Sequence, residues 1–305
     1  MYLSHFGLRE APFSLTPDPE FFYGYSGHQE ALNVLLVALK SGEGFIKITG
    51  EVGTGKTLLC RKLLNSLGPG FRAAYLPNPL LTPFELHKAL AQELGIKTPA
   101  AVTLHDLVKR ITETLVELHR QGQKVVLCID EAQAMPGESL EALRLLSNLE
   151  TEKQKLLQIV VFAQPEFNLL MQKPELRQLR QRITFSYELP PLDRVGIEGY
   201  VQHRLQVAGY RGGRLFSPAA LDAVCAGSRG IPRLVNILCH KALMAVYGQG
   251  GTAVELAQMQ AAVRDTEDVV PPSRKFWDES LHRWLGISTV AEAVILLWLL
   301  WGALA

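Results

Sequence analysis

Neither charge sign predominates in this sequence: 31 Lys and Arg stand against 30 Asp and Glu, a formal net charge of +1. Such a chain lays out no overall basic field, so electrostatics alone do not imply nucleic acid, although local basic patches stay open. Cysteine is scarce too. The four thiols, Cys60, Cys128, Cys225 and Cys239, are scattered. They show no C-x-x-C spacing for zinc and no cluster for disulfides, which implies buried thiols in a reducing compartment. The N-terminus, Met1-Tyr2-Leu3-Ser4-His5-Phe6, lacks the basic and long apolar regions of a signal peptide, so the part that follows it is expected to stay in the cytoplasm. The remaining composition, 48% hydrophobic and 20% charged over 305 residues, suits a globular chain of one large or two smaller domains.

What the sequence does contain is Gly50-Glu51-Val52-Gly53-Thr54-Gly55-Lys56-Thr57, between an apolar run at 45–49 and a helical pattern from Leu58. Strand, glycine-rich turn, helix is the order of a phosphate-binding loop, and the octet fits G-x-x-x-x-G-K-[ST]. Its glycines free the backbone to aim successive N–H groups at phosphate oxygens, and the start of the helix adds its positive dipole end. Lys56 is expected to neutralise the β- and γ-phosphates and Thr57 to ligate Mg²⁺. A nucleoside triphosphate, ATP or GTP, is the expected ligand.

Upstream, residues 1–27 are rich in proline, glycine and aromatics. The prolines exclude a continuous helix, which predicts an extended arm pinned by aromatic anchors, either a cover for the core or a nucleotide or subunit contact. A helix is predicted over 28–40. After the loop helix, the pattern predicts a strand at 73–76 and helices at 82–94 and 104–120.

Residues 125–129 are then continuously apolar and end in Asp130-Glu131. Such a run predicts a strand buried on both faces of a parallel sheet, with the acids at its carboxyl end, where open α/β sheets bind ligands. A helix N-cap accounts for one acid after a strand; two after an apolar run favour catalysis. Asp130 is expected to hold Mg²⁺ opposite Thr57, and Glu131 to polarise an attacking water. A helix over 138–149 and another buried strand at 156–163 follow, with Gln164 at its end. An amide there would orient the water beside the γ-phosphate, or would simply be a polar turn residue before Pro165.

Four cations, Lys173, Arg177, Arg180 and Arg182, lie close together. They fit a solvated helix face, a nucleic-acid strip, or an arginine offered to a neighbouring subunit's γ-phosphate. A last strand at 185–189 precedes Pro190-Pro191, after which helical patterns fill 197–207, 218–226, 234–247 and 254–264. Arg233 opens one of these helices, where a cation opposes the dipole, so contact with bound nucleotide is the expected reason for it. Residues 285–305 are long enough for the ~30 Å bilayer core at about 1.5 Å per residue, with Glu292 in the first half and Arg274, Lys275, His282 and Arg283 ahead. That order fits a span with its cationic flank in the cytoplasm; a helix buried on a partner or lying in the interface is the other reading.

Together these pieces resemble an AAA+ ATPase. Lys56 and Thr57 resemble Walker A, Asp130 and Glu131 Walker B, Gln164 the sensor 1 position, Arg182 or a neighbour (Arg177, Arg180) the arginine finger, and Arg233 within Gly-Ile-Pro-Arg the sensor 2. The opening Phe6-Gly7-Leu8-Arg9-Glu10-Ala11-Pro12-Phe13 through Pro19, with Ala163-Gln164-Pro165-Glu166-Phe167, is similar to the family of general secretion pathway protein A (ExeA type) and the MSHA pilus biogenesis protein MshM, over residues 1 to about 268. The resemblance implies an α/β P-loop NTPase with a three-layer parallel sheet, a C-terminal helical lid domain and a hydrophobic, transmembrane C-terminal helix. The expected parts are an arm at 1–27, a nucleotide-binding domain at 28–190, a lid at 191–265, a linker at 266–284 and the membrane helix at 285–305.

The resemblance also implies ATP and Mg²⁺ as cofactors, a homo-oligomeric ring or filament, and inner-membrane and envelope assembly proteins as partners in type II secretion or a type IV-like pilus. The sequence ends where the family's periplasmic peptidoglycan-binding domain would begin, so docking to membrane partners is expected rather than direct peptidoglycan binding. A DNA-associated regulatory ATPase of the transposition type shares the core motifs and would set the 173–182 cations with Arg204, Arg211 and Arg214 on phosphates; the apolar tail and near-neutral charge argue against it. A non-hydrolysing nucleotide switch is the third reading.

Overall fold

The computed structural model describes residues 2–99, 101–152, 154–267 and 269. The expected linker beyond that point and the 285–305 helix lie outside the described residues. Among the described residues no helix is long and apolar enough to cross a membrane.

The apolar runs form a parallel sheet whose strands are β1 (Phe45–Thr49), β2 (Phe71–Leu76), β3 (Lys124–Ile129), β4 (Leu157–Ala163) and β5 (Phe185–Glu188). Their spatial order is β2-β3-β4-β1-β5. Parallel strands need crossovers, and these are helical. They include α3 (Lys56–Ser66), α4 (Pro83–Glu93), α5 (Leu104–Arg120) and α6 (Gly137–Leu146), while α2 (Ser26–Ser41) leads into β1.

Side-chain alternation along the strands sorts the helices into two layers. Val125, Leu127 and Ile129 of β3 join Leu157, Ile159 and Val161 of β4 in one buried core with Leu86, Leu90, Leu107, Ile111 and Leu115 of α4 and α5. Val126 and Cys128 face the other way with Ile46, Ile48, Val160 and Phe162, against Leu35 and Leu39 of α2 and Leu59 and Leu63 of α3. Both faces are therefore covered, which is why these strands read as unbroken apolar runs. The longest connection, from β2 to β3, holds α4 and α5, each of which starts at a capping box, Thr82 with Glu85 and Thr103 with Asp106.

After β4 come two short helices, α7 (Glu166–Leu170) and α8 (Arg177–Arg182). Past β5, the helices α9 (Arg194–Val207), α10 (Pro218–Ser228), α11 (Pro232–Gly248) and α12 (Leu256–Arg264) share a third core. The N-terminal arm joins this core rather than the sheet: Tyr2, Phe6, Phe13 and Phe21 are buried among α9–α12. The aromatic anchors expected of the arm are thus in place, but it is not wholly extended. Tyr2–His5 forms a short helix, α1, and Pro19–Phe21 a 3-10 turn capped by Asp18. Packing also continues past the end of α12, since Val269 is buried in the same core.

One close approach pins the turn between α10 and α11 to the segment that leaves β5. Gly230 lies at φ +77°, and a Cβ there would sit 2.2 Å from the Leu192 carbonyl oxygen and 2.9 Å from its nitrogen. The Leu192 N–H in turn donates to the Gly230 carbonyl at 2.8 Å. Because the clash would be with backbone, no rotamer relieves it. Gly230→Ala is expected to destabilise the chain by about 2–4 kcal/mol, read as a lower midpoint in urea unfolding; an unchanged midpoint would contradict this packing.

Candidate functional site

The carboxyl ends of β1, β3 and β4 are neighbours because β4 lies between the other two. That order brings the glycine-rich loop, the two acids and Gln164 to one edge. The loop is held at its start by the Gly50 N–H, which donates to Ala163 at the end of β4, and it is closed by Thr54, whose N–H and hydroxyl both donate to the Glu51 carbonyl. Gly53 and Gly55 take φ +82° and +97°, a region that favours glycine, and Gly55 caps α3. Val52 stands exposed at the tip.

Lys56 is only 4% exposed. Its ammonium donates to the Gly50 carbonyl at 2.8 Å and the Glu51 carbonyl at 3.0 Å. Burial pulls its pKa down, against the nearby Glu131, Asp130 and Glu51 carboxylates, which favour the charged form. The Thr57 hydroxyl donates to Asp130 Oδ2 at 2.6 Å. Asp130 is 3% exposed; burial raises its pKa, while the bonds from Thr57 and from the Glu131 N–H oppose the rise.

Glu131 occupies the left-handed region at φ +52°, a strained conformation for a residue with a side chain. Its Oε2 accepts from Gln164 Nε2 at 2.9 Å and from Gln133 Nε2. Gln164 therefore does lie beside the acidic strand and touches Glu131 directly.

Of these groups Lys56, Thr57 and Glu131 face a cleft of about 220 Å³, lined also by the rest of loop residues 52–58, arm residues 14–18 with Phe22 and Tyr23, and Tyr200, Arg204, Arg233 and Asn236 of the helical region. Arg233 meets the loop through its backbone: its N–H donates to the Gly53 carbonyl at 3.1 Å. A Cβ on Gly53 would fall 2.5 Å from the Arg233 Cβ. The helix that Arg233 opens is thus seated on the phosphate loop. Arg182, exposed at the end of α8, does not line the cleft.

Several contributors carry no local sequence signal. The His28 imidazole is buried beneath the loop, with Nε2 bonded to the Thr54 carbonyl at 2.7 Å. Gln133, beside the acids, bridges them to β4. From the arm, the Pro17 carbonyl accepts from Arg61 of α3 at 2.6 Å. Arg204 is 4% exposed and bonds the Pro12 and Ser14 carbonyls and the Tyr200 hydroxyl. A DNA strip built on Arg204 is not what the structure contains, because that side chain is spent holding the arm.

The set suits a magnesium nucleotide. The Thr57 hydroxyl and the Asp130 carboxylate, already in contact, are hard oxygen donors of the kind Mg²⁺ takes, and the Lys56 ammonium is held inside the glycine-rich loop, where a phosphate would be bound.

Comparison with known proteins agrees with this geometry. Residues 39–171 match the family described as AAA domain. Over 269 residues, 88% of the chain, it is 40% identical to general secretion pathway protein A of Aeromonas hydrophila, of which it covers 49%. The chain therefore spans about half the length of that curated relative. Among solved structures, the ORC2 protein of Aeropyrum pernix in ADPNP-ADP complexes has a TM-score of 0.64 at 18% identity, covering 84% of this chain and 71% of that one. Cdc6p of Pyrobaculum aerophilum has a TM-score of 0.61 at 18% identity, with 80% and 67% covered. The RuvB Holliday junction branch migration motor of Thermotoga maritima has 0.53 at 17%, with 78% and 67% covered. Likeness at these identities shows the fold alone.

Burial lowers the pKa of His28 below its usual 6.5 and keeps the imidazole neutral against the loop. Below that pH the unfolded chain binds a proton that the folded chain refuses, so stability falls as pH falls, by up to about 1.4 kcal/mol per pH unit for one such group. His28→Gln is expected to flatten this slope in urea titrations below pH 6.5. Some slope remains from His203, whose pKa burial also lowers. A slope identical to that of the native chain would show that His28 is not buried neutral.

Proposed function

From the AAA-domain match over residues 39–171 and the 40% identity to general secretion pathway protein A, we propose that the chain is an AAA+ ATPase that hydrolyses ATP at the interface between copies of itself to drive assembly of a cell-envelope machine. The observation that carries the chemistry is the contact of Thr57 with Asp130, with Lys56 on one side and Glu131 open to the same cleft.

In this reading Lys56 exchanges the Gly50 and Glu51 carbonyls for β- and γ-phosphate oxygens, which are stronger partners for a buried cation. Thr57 and Asp130 hold Mg²⁺, which when bound neutralises charge on those oxygens. Glu131 accepts the proton of the attacking water, and Gln164, adjacent to it, orients that water. Arg233, seated on the loop, ties the helical region to the phosphates as a lid. Arg182 is exposed and takes part in none of the ion pairs among the described residues. It suits a role outside its own cleft, reaching the γ-phosphate of a neighbouring copy, where an arginine in trans is worth about 10³–10⁵ in turnover. Arg177 and Arg180, on the same exposed helix, are the other candidates.

The envelope role rests on kinship with a general secretion pathway protein, and it extends to type II secretion or a type IV-like pilus as the system served. Residues 285–305 are the proposed attachment to the inner membrane, leaving the ATPase in the cytoplasm. Of the arginines that a DNA strip would use, Arg204 is buried and Arg214 pairs with Glu198 at 3.0 Å. We therefore place membrane and envelope proteins, rather than nucleic acid, as the partners.

Two measurements test this. Arg182→Ala should lower kcat by about 10³-fold or more while ATP affinity is kept; a strictly monomeric species hydrolysing at full rate would defeat the interface mechanism. On fractionation, the full chain should pellet with membranes and resist alkaline washing, whereas residues 1–270 should not. Equal release of both would remove the anchor.

A further inference from the structure

We propose that Gln133 is a positioning residue for hydrolysis, holding the Glu131 carboxylate by one oxygen so that the other stays free for the attacking water. The inference rests on the hydrolytic reading above and deepens it. Nothing in the phosphate-binding motif calls for an amide at this place; the structure does.

Gln133 lies in the 3-10 turn Ala132–Ala134, directly after the left-handed backbone of Glu131. That turn doubles the chain back, with the Ala134 N–H donating to the Glu131 carbonyl at 2.9 Å. It thereby faces the Gln133 side chain toward the carboxylate that precedes it. Gln133 Nε2 donates to Glu131 Oε2, and Gln133 Oε1 accepts from the Gln164 backbone N–H at 3.0 Å. The second bond decides the first. A flipped amide would set its oxygen against the carboxylate and its nitrogen against an N–H, so the end facing Glu131 must be the donor.

Gln164 Nε2 donates to the same oxygen, Oε2, at 2.9 Å. Two amides thus converge on one carboxylate oxygen, and Oε1 receives neither while Glu131 lines the cleft. They are not equivalent. Gln164 offers its side chain alone and is free to turn toward water or phosphate when substrate arrives. Gln133 is tied at both ends, to β3 through Glu131 and to β4 through the Gln164 backbone. When Gln164 turns to substrate, Gln133 remains to hold the base in register.

The test is steady-state ATP turnover by the full chain carrying Gln133→Met or Gln133→Glu, each also combined with Glu131→Gln. Met keeps the length and loses both hydrogen bonds. Glu keeps an acceptor for the Gln164 N–H but replaces the donor with a second carboxylate facing Glu131, so its loss includes like-charge repulsion and the neutral Met variant carries the test. Both variants should lower kcat roughly 10- to 100-fold, with ATP affinity and thermal midpoint unchanged. Neither should lower the residual rate further in the Glu131→Gln background, since an effect exerted through Glu131 vanishes with its carboxylate. Turnover within twofold of the native chain overturns the inference. So does a loss matched by weaker ATP binding or a lower midpoint, or one fully additive with Glu131→Gln, because either assigns Gln133 a merely structural part. If the native chain shows no turnover sensitive to Glu131→Gln, the hydrolytic reading itself fails and takes this one with it.

Discussion

A buried ammonium sets the terms for the rest of the site. Lys56 is removed from water, and a charge so placed must find acceptors or lose its proton. The acceptors are the Gly50 and Glu51 carbonyls. Beyond them the loop passes through left-handed backbone at Gly53 and Gly55 before Lys56 begins its helix. The carboxylates of Asp130 and Glu131 stand close enough to favour the charged form against the cost of burial. Such a cation is poised for exchange: a phosphate brings more negative charge than two carbonyl dipoles. The same loop, glycines, lysine and acids therefore form a coherent structure without substrate and a stronger one with it.

Strand order converts that local arrangement into a site. Thr57 and Asp130 are 73 positions apart in the chain, and Gln164 is 33 from Glu131. They meet because β4 is inserted between β1 and β3, with every strand parallel and every carboxyl end on one edge. The insertion is stabilised by burial. Every residue of β4 is buried, its odd positions in one core and Val160 and Phe162 in the other. A strand with two apolar faces belongs in the middle of a sheet.

This also explains what the sequence makes legible. The glycine octet, the apolar runs and the paired acids each state their chemistry within a few residues, and the structure assembles them as their spacing implies. The helices at Leu104–Arg120 and Pro218–Ser228 were equally plain, because their caps and periodicity are local. His28, Gln133 and Arg204 were not, and for a shared reason. Each acts by long-range or side-chain-specific bonds: an imidazole on a loop carbonyl 26 positions away, an amide on a backbone 31 positions away, a guanidinium on carbonyls 190 and 192 positions away. No residue pattern announces such partners. The arm shows the same limit from the other side. Its aromatic anchors were evident, but their burial among α9–α12 depended on a surface that the sequence does not name.

The position of the arm has a physical consequence. Its aromatics are embedded in the helical region, and Arg204, which also stacks on Phe21 at 4.6 Å, fastens its backbone there. Its Pro17 carbonyl, however, is bonded to Arg61 on the helix that begins at Lys56. The helical region meets the loop a second time where the Arg233 N–H donates to Gly53, an approach only a glycine permits. Both junctions lie at the cleft, one on each side of the segment carrying Lys56 and Thr57. A change in loop geometry would therefore reach the helical region through two bonds at once. Because the arm and α9–α12 share one core, a displacement passed through either bond would move them as one piece.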